Sequence, residues 1–314
     1  MEYRKLGNSG LKISEIGLGS NTFGWVVDEQ TSAAVINSAL DLGINYIDTA
    51  DLYDRGNSEQ FVGRAIKGKR SELIIATKFG IPIAEGPNLR GGSRYYIMRA
   101  VEASLKRLQT DYIDLYQMHR PDTETPIDET MRALHDVVQS GKVRYIGASN
   151  YAAWQMGDAM WTSKIHNLHA FITNQVRYNI LDRKIEQELV PFCQAHNIGI
   201  IPWGPLAGGF LTGKYHKGEP ILSEYRLPKP ENMIYGNVFT DDNWDKLDKL
   251  QKFATDHGHT VGELAIAWLL AKPYVSTVIP GAHTPDQVTA NVAASQWKLQ
   301  PEEVAQLDSI TAGE

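Results

Sequence analysis

The chain has a single cysteine, Cys193, so it cannot form an intrachain disulfide, and metal modules built from several cysteines are excluded. Its apolar runs all fall short of the ~20 residues that a membrane span needs. Residues 1–10 lack the apolar stretch of a signal peptide, and no run of like charge forms a tail. These absences predict a cytoplasmic globular protein that is not inserted in a membrane.

Acidic residues outnumber basic ones, 37 to 31, which gives a formal net charge of −6. An acidic surface is poorly suited to a phosphate backbone, so we expect no nucleic-acid partner. Hydrophobic residues make up 42% of the 314 residues and charged residues 22%, an ordinary globular composition. We expect one domain over residues 1–314, acting as a monomer or a weak homo-oligomer.

Short apolar runs alternate with amphipathic segments along most of the chain. Ala33, Ile36 and Leu40 have the spacing of one helix face, while Thr260 and Thr284 have the context of helix caps. Near-continuous apolar runs are typical of strands buried on both faces. Eight such runs are predicted as strands, over residues 16–20, 46–49, 73–78, 112–118, 143–149, 171–175, 198–203 and 275–280.

Eight strands alternating with helices predict an α/β fold of the (β/α)8 TIM-barrel type. The alternative is a doubly wound open sheet, but Gly17, Gly19 and Gly24 do not have the spacing of a dinucleotide-binding fingerprint. Residues 1–15 precede the first barrel strand and are expected to form a short hairpin at the bottom of the barrel. Residues 204–243 follow the seventh strand, and a connection of this length predicts a functional loop over a site.

Four ionisable side chains fall at or just after the ends of adjacent predicted strands: Asp48, Tyr53, Lys78 and His119. Strand ends meet at one mouth of a barrel, where chemistry takes place. A lysine ammonium favours a neighbouring phenolate, an aspartate holds that ammonium, and a histidine can orient a substrate oxygen. This set suits proton delivery to a carbonyl oxygen, and a reductase would need a hydride cofactor besides.

Each of these residues also has a purely structural interpretation. Asp48 alone is typical of a turn or cap, Tyr53 of a half-buried aromatic residue, and His119 of a satisfied polar residue. Lys78 differs, because a lysine that ends an apolar strand is desolvated unless it is paired. The conjunction of the four residues therefore carries the catalytic hypothesis.

Several segments in the same order resemble the aldo-keto reductase family. They are NYIDTADLY (45–53) with NSE (57–59), IATKF (75–79), TDYIDLYQMH (110–119), GKVRYIGASN (141–150) and IPGA (279–282). The resemblance covers nearly the whole chain, and the fold of that family is the barrel predicted above. It implies that Tyr53 is the general acid, that Lys78 lowers its pKa, that Asp48 holds Lys78, and that His119 orients the carbonyl.

The resemblance also implies a nicotinamide cofactor bound without a Rossmann fold. Ser149, Asn150 and Gln175 would hold its carboxamide, and Trp203 would stack on its ring. The loop after the seventh strand would cover the pyrophosphate with Gly204, Pro205, Leu206, Gly208 and Lys214. Residues 208–214 also have the spacing of a P-loop, but Tyr215 replaces the Ser or Thr that such a loop needs.

The segment expected at the adenosine end contains Gly281, His283, Gln287 and Asn291 but no lysine or arginine. A helix start at Thr284 can still bind phosphate through free backbone N–H groups, and Lys214 and Arg226 would add charge from the long loop. NADP(H) is the expected cofactor because the family mostly uses it, and NAD(H) remains the alternative.

Trp25, Phe79 and Arg120 are the predicted substrate-binding residues. The tryptophan would favour apolar or aromatic carbonyl compounds, whereas Arg120 would favour an acidic group or form a loop ion pair with Asp122. No metal site is expected, because ligand residues do not cluster at the strand ends. The predicted function is reduction of aldehydes and ketones, and the alternative is a cofactor-sensing regulatory subunit, a role that some members of the family have.

Overall fold

The structure, a computed structural model, describes residues 1–221, 227 and 237–312. A short antiparallel hairpin comes first, and seven parallel strands then form one sheet in chain order. The strands are β1 (Tyr3–Lys5), β2 (Lys12–Ser14), β3 (Leu18–Gly19), β4 (Tyr46–Asp48), β5 (Ile74–Phe79), β6 (Ile113–Met118), β7 (Val143–Ser149), β8 (Thr173–Arg177) and β9 (Gly199–Trp203).

Helices alternate with the strands and lie outside the sheet, as the (β/α)8 barrel requires. In the described ranges they are α1 (Glu29–Asp41), α2 (Asn57–Ala65), α3 (Arg94–Leu108), α4 (Ile127–Gln139), α5 (Ala153–His166), α6 (Leu189–Ala195), α7 (Asp241–Asp256), α8 (Val261–Leu270), α9 (Pro285–Ala293) and α10 (Pro301–Thr311). The predicted alternation is thus confirmed. Among the helices so described, none has both the length and the apolar character needed to cross a bilayer.

The eighth predicted strand, 275–280, forms no regular ladder, yet it joins the two ends of the sheet. Val275 pairs with Ile200 in β9, while Val278 pairs with Ile16 just before β3. Hydrogen bonds from Gly17 N to Val278 O (2.8 Å) and from Ser276 N to Ile200 O (2.9 Å) connect both sides. Gly19 also pairs with Gly281, and Gly19 N donates to Pro280 O (3.1 Å), so the segment closes the barrel through single bridges.

The N-terminal hairpin plugs the barrel as predicted. Leu6 and Ile13 are fully buried and pack with the side chains of the barrel interior, among them Leu115. Gly7 allows this close approach, because a Cβ at its left-handed backbone (φ +56°) would lie 2.0 Å from the carbonyl oxygen of Ile172. A second, larger core fills the space between the strands and the helices.

Two predicted caps start the helices that follow the long loop. Thr260 Oγ1 accepts from Glu263 N (3.2 Å), and the Glu263 carboxylate accepts in return from Thr260 N (2.8 Å), a capping box at the start of α8. Thr284 caps α9 by accepting from Gln287 N (3.3 Å). The long connection after β9 is confirmed too, since α7 begins only at Asp241.

Candidate active site

The ammonium of Lys78 lies at the centre of the site, at the carboxyl end of β5. It donates to Asp48 Oδ1 (2.5 Å), to the carbonyl oxygen of Thr49 (2.9 Å) and to the hydroxyl of Tyr53 (3.0 Å). Lys78 is 1% exposed and Asp48 2%, so solvent screens this ion pair little. Burial lowers the pKa of Lys78, but Asp48 and Tyr53 outweigh it and raise the pKa above its ordinary value. The ammonium therefore stays charged at neutral pH.

The other carboxylate oxygen of Asp48 accepts two amide hydrogen bonds from neighbouring strands. Gln175 Nε2 donates to it at 2.7 Å and Gln117 Nε2 at 3.2 Å. Together with Lys78 these contacts fix the orientation of the carboxylate. Gln117 was not among the predicted site residues, although a sequence signal existed: it lies two residues before His119, and alternate residues of a strand share a face.

His119 follows β6 and faces Tyr53 across the site. The two rings meet edge to face with centroids 6.0 Å apart. Burial, together with the positive charges of Lys78 and Arg120, holds the pKa of His119 well below its ordinary value. In the described chain the buried Nδ1 of His119 has no hydrogen-bond partner. The imidazole is thus neutral at physiological pH and suited to hydrogen bonding rather than to charge.

The side chains that follow β7 are held in a rigid arrangement. Asn150, at a left-handed φ of 60°, donates to the carbonyl oxygen of His119 and to Ser149 Oγ (both 3.1 Å). Its Oδ1 accepts from the indole of Trp203 at 2.9 Å. Ser149 Oγ in turn donates to Gln175 O at 2.8 Å. The polar side chain of Asn150 therefore positions Trp203 and His119, which adds to the carboxamide contact predicted for it.

A cavity of about 780 Å³ extends from these residues along the long loop to the start of α9. Most of the predicted residues line it: Asp48, Tyr53, His119, Arg120, Ser149, Asn150, Gln175, Trp203, Gly204, Pro205, Leu206, Gly208, Lys214, Gly281, His283, Gln287 and Asn291. Lys78 lies buried behind Asp48 and Tyr53. Arg226 lies outside the described residues.

Two of the predicted substrate residues are elsewhere. Phe79 is fully buried outside the barrel interior, stacked on Tyr116 with ring centroids 4.5 Å apart, so its prediction is wrong. The physical reason is strand alternation, because Phe79 follows Lys78 and must point to the opposite face. Trp25 is 45% exposed, donates to Asn21 O (2.8 Å) and is not part of the cavity lining. Of the three, Arg120 alone lines the cavity.

The first turn of α8 was missed as a wall of the cavity, to which it contributes Thr260, Gly262, Glu263 and Ile266. The capping box was visible in the sequence, but its packing against the long loop was not. Among the residues with described positions, no group of three His, Cys, Asp or Glu side chains is arranged to hold a metal ion.

The cavity suits a nicotinamide dinucleotide in the chemistry of its lining. Three kinds of group follow one another along the cavity. Amide and hydroxyl groups suit a carboxamide, the indole of Trp203 suits an aromatic ring, and the start of α9 suits a phosphate. In the loop after β9, Gly204, Gly208 and Gly209 adopt left-handed φ angles, which brings backbone close to the cavity.

Comparison with known proteins agrees with this geometry. The sequence model of the Aldo/keto reductase family matches residues 15–312. The chain therefore belongs to the aldo/keto reductase family, a family of oxidoreductases that generally use NAD(P)H.

Proteins similar to this chain are named either as channel subunits or as reductases. A "Probable voltage-gated potassium channel subunit beta" of Arabidopsis thaliana is 39% identical over 94% of this chain and 91% of that protein. A "Versiconal hemiacetal acetate reductase" of Aspergillus parasiticus is 37% identical over 98% of this chain and 96% of its own length. "Aldo-keto reductase YhdN" of Bacillus subtilis is 36% identical over 99% and 93%.

Proposed function

We propose that this protein reduces aldehydes and ketones to alcohols with NADP(H), and that Tyr53 delivers the proton. The observation that carries the proposal is the 3.0 Å contact between Lys78 Nζ and the Tyr53 hydroxyl at the end of the cavity. Reduction of a carbonyl requires a hydride donor, which is the chemistry that a reduced nicotinamide dinucleotide supplies when bound.

Tyr53 performs the proton transfer at its hydroxyl. As negative charge develops on the carbonyl oxygen, the phenol donates its proton there, and the Lys78 ammonium stabilises the phenolate that remains. Asp48 keeps that ammonium in place, and its own carboxylate is fixed by the two glutamines. Neutral His119 donates a hydrogen bond to the same carbonyl oxygen and orients it. In alcohol oxidation, Tyr53 acts as the base.

Gln175 links the cofactor subsite to these residues. Its Nε2 donates to Asp48, so its side-chain Oε1 would be the atom that accepts from the nicotinamide carboxamide. The proposal of NADP(H) rests on the general use of NAD(P)H in the family and on Lys214 and the start of α9, which both line the cavity. We further propose a single domain over residues 1–314 that works in the cytoplasm as a monomer or weak homo-oligomer.

Replacing Tyr53 by phenylalanine tests the proposal. Tyr53→Phe is expected to abolish carbonyl reduction while NADPH still quenches tryptophan fluorescence with nearly unchanged affinity. Tyr95→Phe, on the exposed side of α3, is the matched control and keeps activity. Normal turnover by Tyr53→Phe refutes the assignment, and tighter quenching by NADH than by NADPH refutes the choice of cofactor.

A second function has support from one finding. A relative named as a probable potassium channel β subunit is 39% identical to this chain, which favours a cofactor-sensing regulatory subunit as the alternative. In that case the protein binds NADPH but turns over a panel of aldehydes and ketones no faster than the Tyr53→Phe variant does.

A further inference from the structure

We propose that Arg120 makes the site selective for carbonyl compounds that carry a carboxylate a few bonds from the reacting carbonyl. The inference rests on the proposed reductase function and adds its substrate class. Arg120 directly follows His119, so their Cα atoms are about 3.8 Å apart. The strand ends at Met118, before both residues, so strand alternation does not turn their side chains apart, and Arg120 lines the same cavity as Tyr53 and His119.

Arg120 lies where two cavities meet. It lines the catalytic cavity, and it also lines a neighbouring cavity of about 700 Å³ between the loops that follow β5 and β6. The side chain is exposed, so both the catalytic end of the site and the space beyond it are within its reach. A substrate substituent that extends from the reacting carbonyl towards the neighbouring cavity passes the guanidinium of Arg120.

The predicted counter-ion of Arg120 is committed to other groups. The carboxylate of Asp122 accepts from Gly92 N (2.7 Å), from Thr125 Oγ1 (2.7 Å) and from Glu124 N (2.9 Å). These bonds tie the loop after β5 to the loop after β6. The expected ion pair between Arg120 and Asp122 is therefore absent, and the prediction of it is wrong.

The other acidic residues that line the neighbouring cavity, Glu85 and Glu124, form no ion pair with Arg120 within the described ranges. The carboxylate of Glu124 pairs with Arg90 at 3.4 Å. Within the described ranges, no ion pair or hydrogen bond of the Arg120 side chain is found. A guanidinium beside a catalytic histidine, with no partner among the described residues, suits a carboxylate ligand, because its fork of N–H groups matches the two carboxylate oxygens.

The charges of the catalytic cavity leave its substrate end positive. Besides Arg120, the charged residues in its described lining are Asp48, Lys214 and Glu263. Asp48 is neutralised by Lys78, and Glu263 caps α8 on the side of the cavity formed by the long loop. Among the described residues that line the cavity next to Tyr53 and His119, Arg120 therefore carries a charge that no counter-ion compensates. Since Phe79 and Trp25 do not line the cavity, they provide no apolar wall against a charged substrate.

A pair of matched aldehydes measures this selectivity. We would compare kcat/KM for 4-carboxybenzaldehyde and for methyl 4-formylbenzoate in the wild type and in Arg120→Gln. The ratio of the two substrates is compared between proteins, which cancels their intrinsic difference in reactivity. Arg120→Gln is expected to lower the acid-to-ester ratio about tenfold or more, the size of a lost charge-assisted hydrogen bond.

Two further variants and salt sharpen the comparison. Arg120→Lys keeps the charge but not the bidentate geometry, so its ratio is expected to lie in between. Arg94→Gln removes an exposed arginine of α3 that pairs with Asp136 of α4. This variant is expected to keep the acid-to-ester ratio of the wild type. Because Arg120 is exposed, the preference of the wild type for the acid is expected to fall as sodium chloride is added.

The outcomes separate this inference from the proposed function. An equal acid-to-ester ratio in the wild type and Arg120→Gln overturns the role of Arg120, while reduction of the ester leaves the reductase function standing. If the wild type binds NADPH but reduces neither aldehyde, the reductase function fails and the substrate class fails with it.

Discussion

A buried carboxyl group beneath the Tyr53 loop gives a quantitative prediction. Asp51 is 1% exposed, and its Oδ1 has no hydrogen-bond partner in the described chain. Its Oδ2 accepts a long bond from the Tyr96 hydroxyl at 3.4 Å. The nearby cation, Arg107, is bonded at 2.5 Å to a second buried carboxylate, Glu59. Asp51 is therefore buried beside an anion whose counter-ion is already engaged.

Burial and the charge of Glu59 raise the pKa of Asp51 from 3.8 to about 8, although Arg107 opposes them. Between these two pH values the folded protein retains a proton that the unfolded chain has released. The free energy of unfolding therefore falls as the pH rises through this range. At 1.36 kcal/mol per pH unit, this group alone lowers it by up to about 4 kcal/mol from about pH 5 to about pH 8.

Asp51→Asn keeps the shape of the side chain and removes its titration. We expect the variant to be close to the wild type in stability below about pH 4 and to become progressively more stable than it towards pH 8. Urea unfolding followed by tryptophan fluorescence and circular dichroism, repeated across this range, measures the difference. Asp111→Asn, at an exposed position, removes the same charge and is the control. A difference that does not change with pH, or that grows in the opposite direction, refutes the expectation.

Two other predictions concern residues at the catalytic end of the cavity. The pKa of His119 lies well below its ordinary value, so the pH profile of kcat/KM for reduction should show no step at about pH 6.5. A loss of activity as the pH falls through about 6.5 would contradict a neutral imidazole. Lys78→Met leaves Asp48 as a buried, unpaired charge, so we expect loss of reduction and a destabilisation of about 3–5 kcal/mol in urea unfolding. Lys106→Met, on the exposed side of α3, is its control, and an unfolding midpoint equal to that of the wild type would contradict the importance of the ion pair.

The order of secondary structure could be predicted because each element leaves a local pattern. Apolar runs and capping residues such as Thr260 and Thr284 depend on neighbours a few residues away, so they are visible along the chain. The four catalytic residues could also be predicted from the sequence. A lysine at the end of an apolar strand requires a partner, and Asp48 and Tyr53 follow the adjacent strand.

Strand alternation accounts for the positions of Phe79 and Gln117. With Lys78 directed to the mouth of the barrel, it assigns Phe79 to the helix side and places Gln117 on the same face as His119. The alternation is hidden in the hydrophobic pattern, because strands covered on both faces are apolar at nearly every position.

What the sequence by itself determined is the fold class, the order of its elements and the types of residue at the strand ends. Only the tertiary structure decided that two glutamines fix Asp48, that α8 walls the cavity, and that Asp122 bonds to other groups and not to Arg120. These contacts join residues far apart in the chain or compete for one partner. A competition between hydrogen bonds is settled by distances in space, which local patterns do not encode.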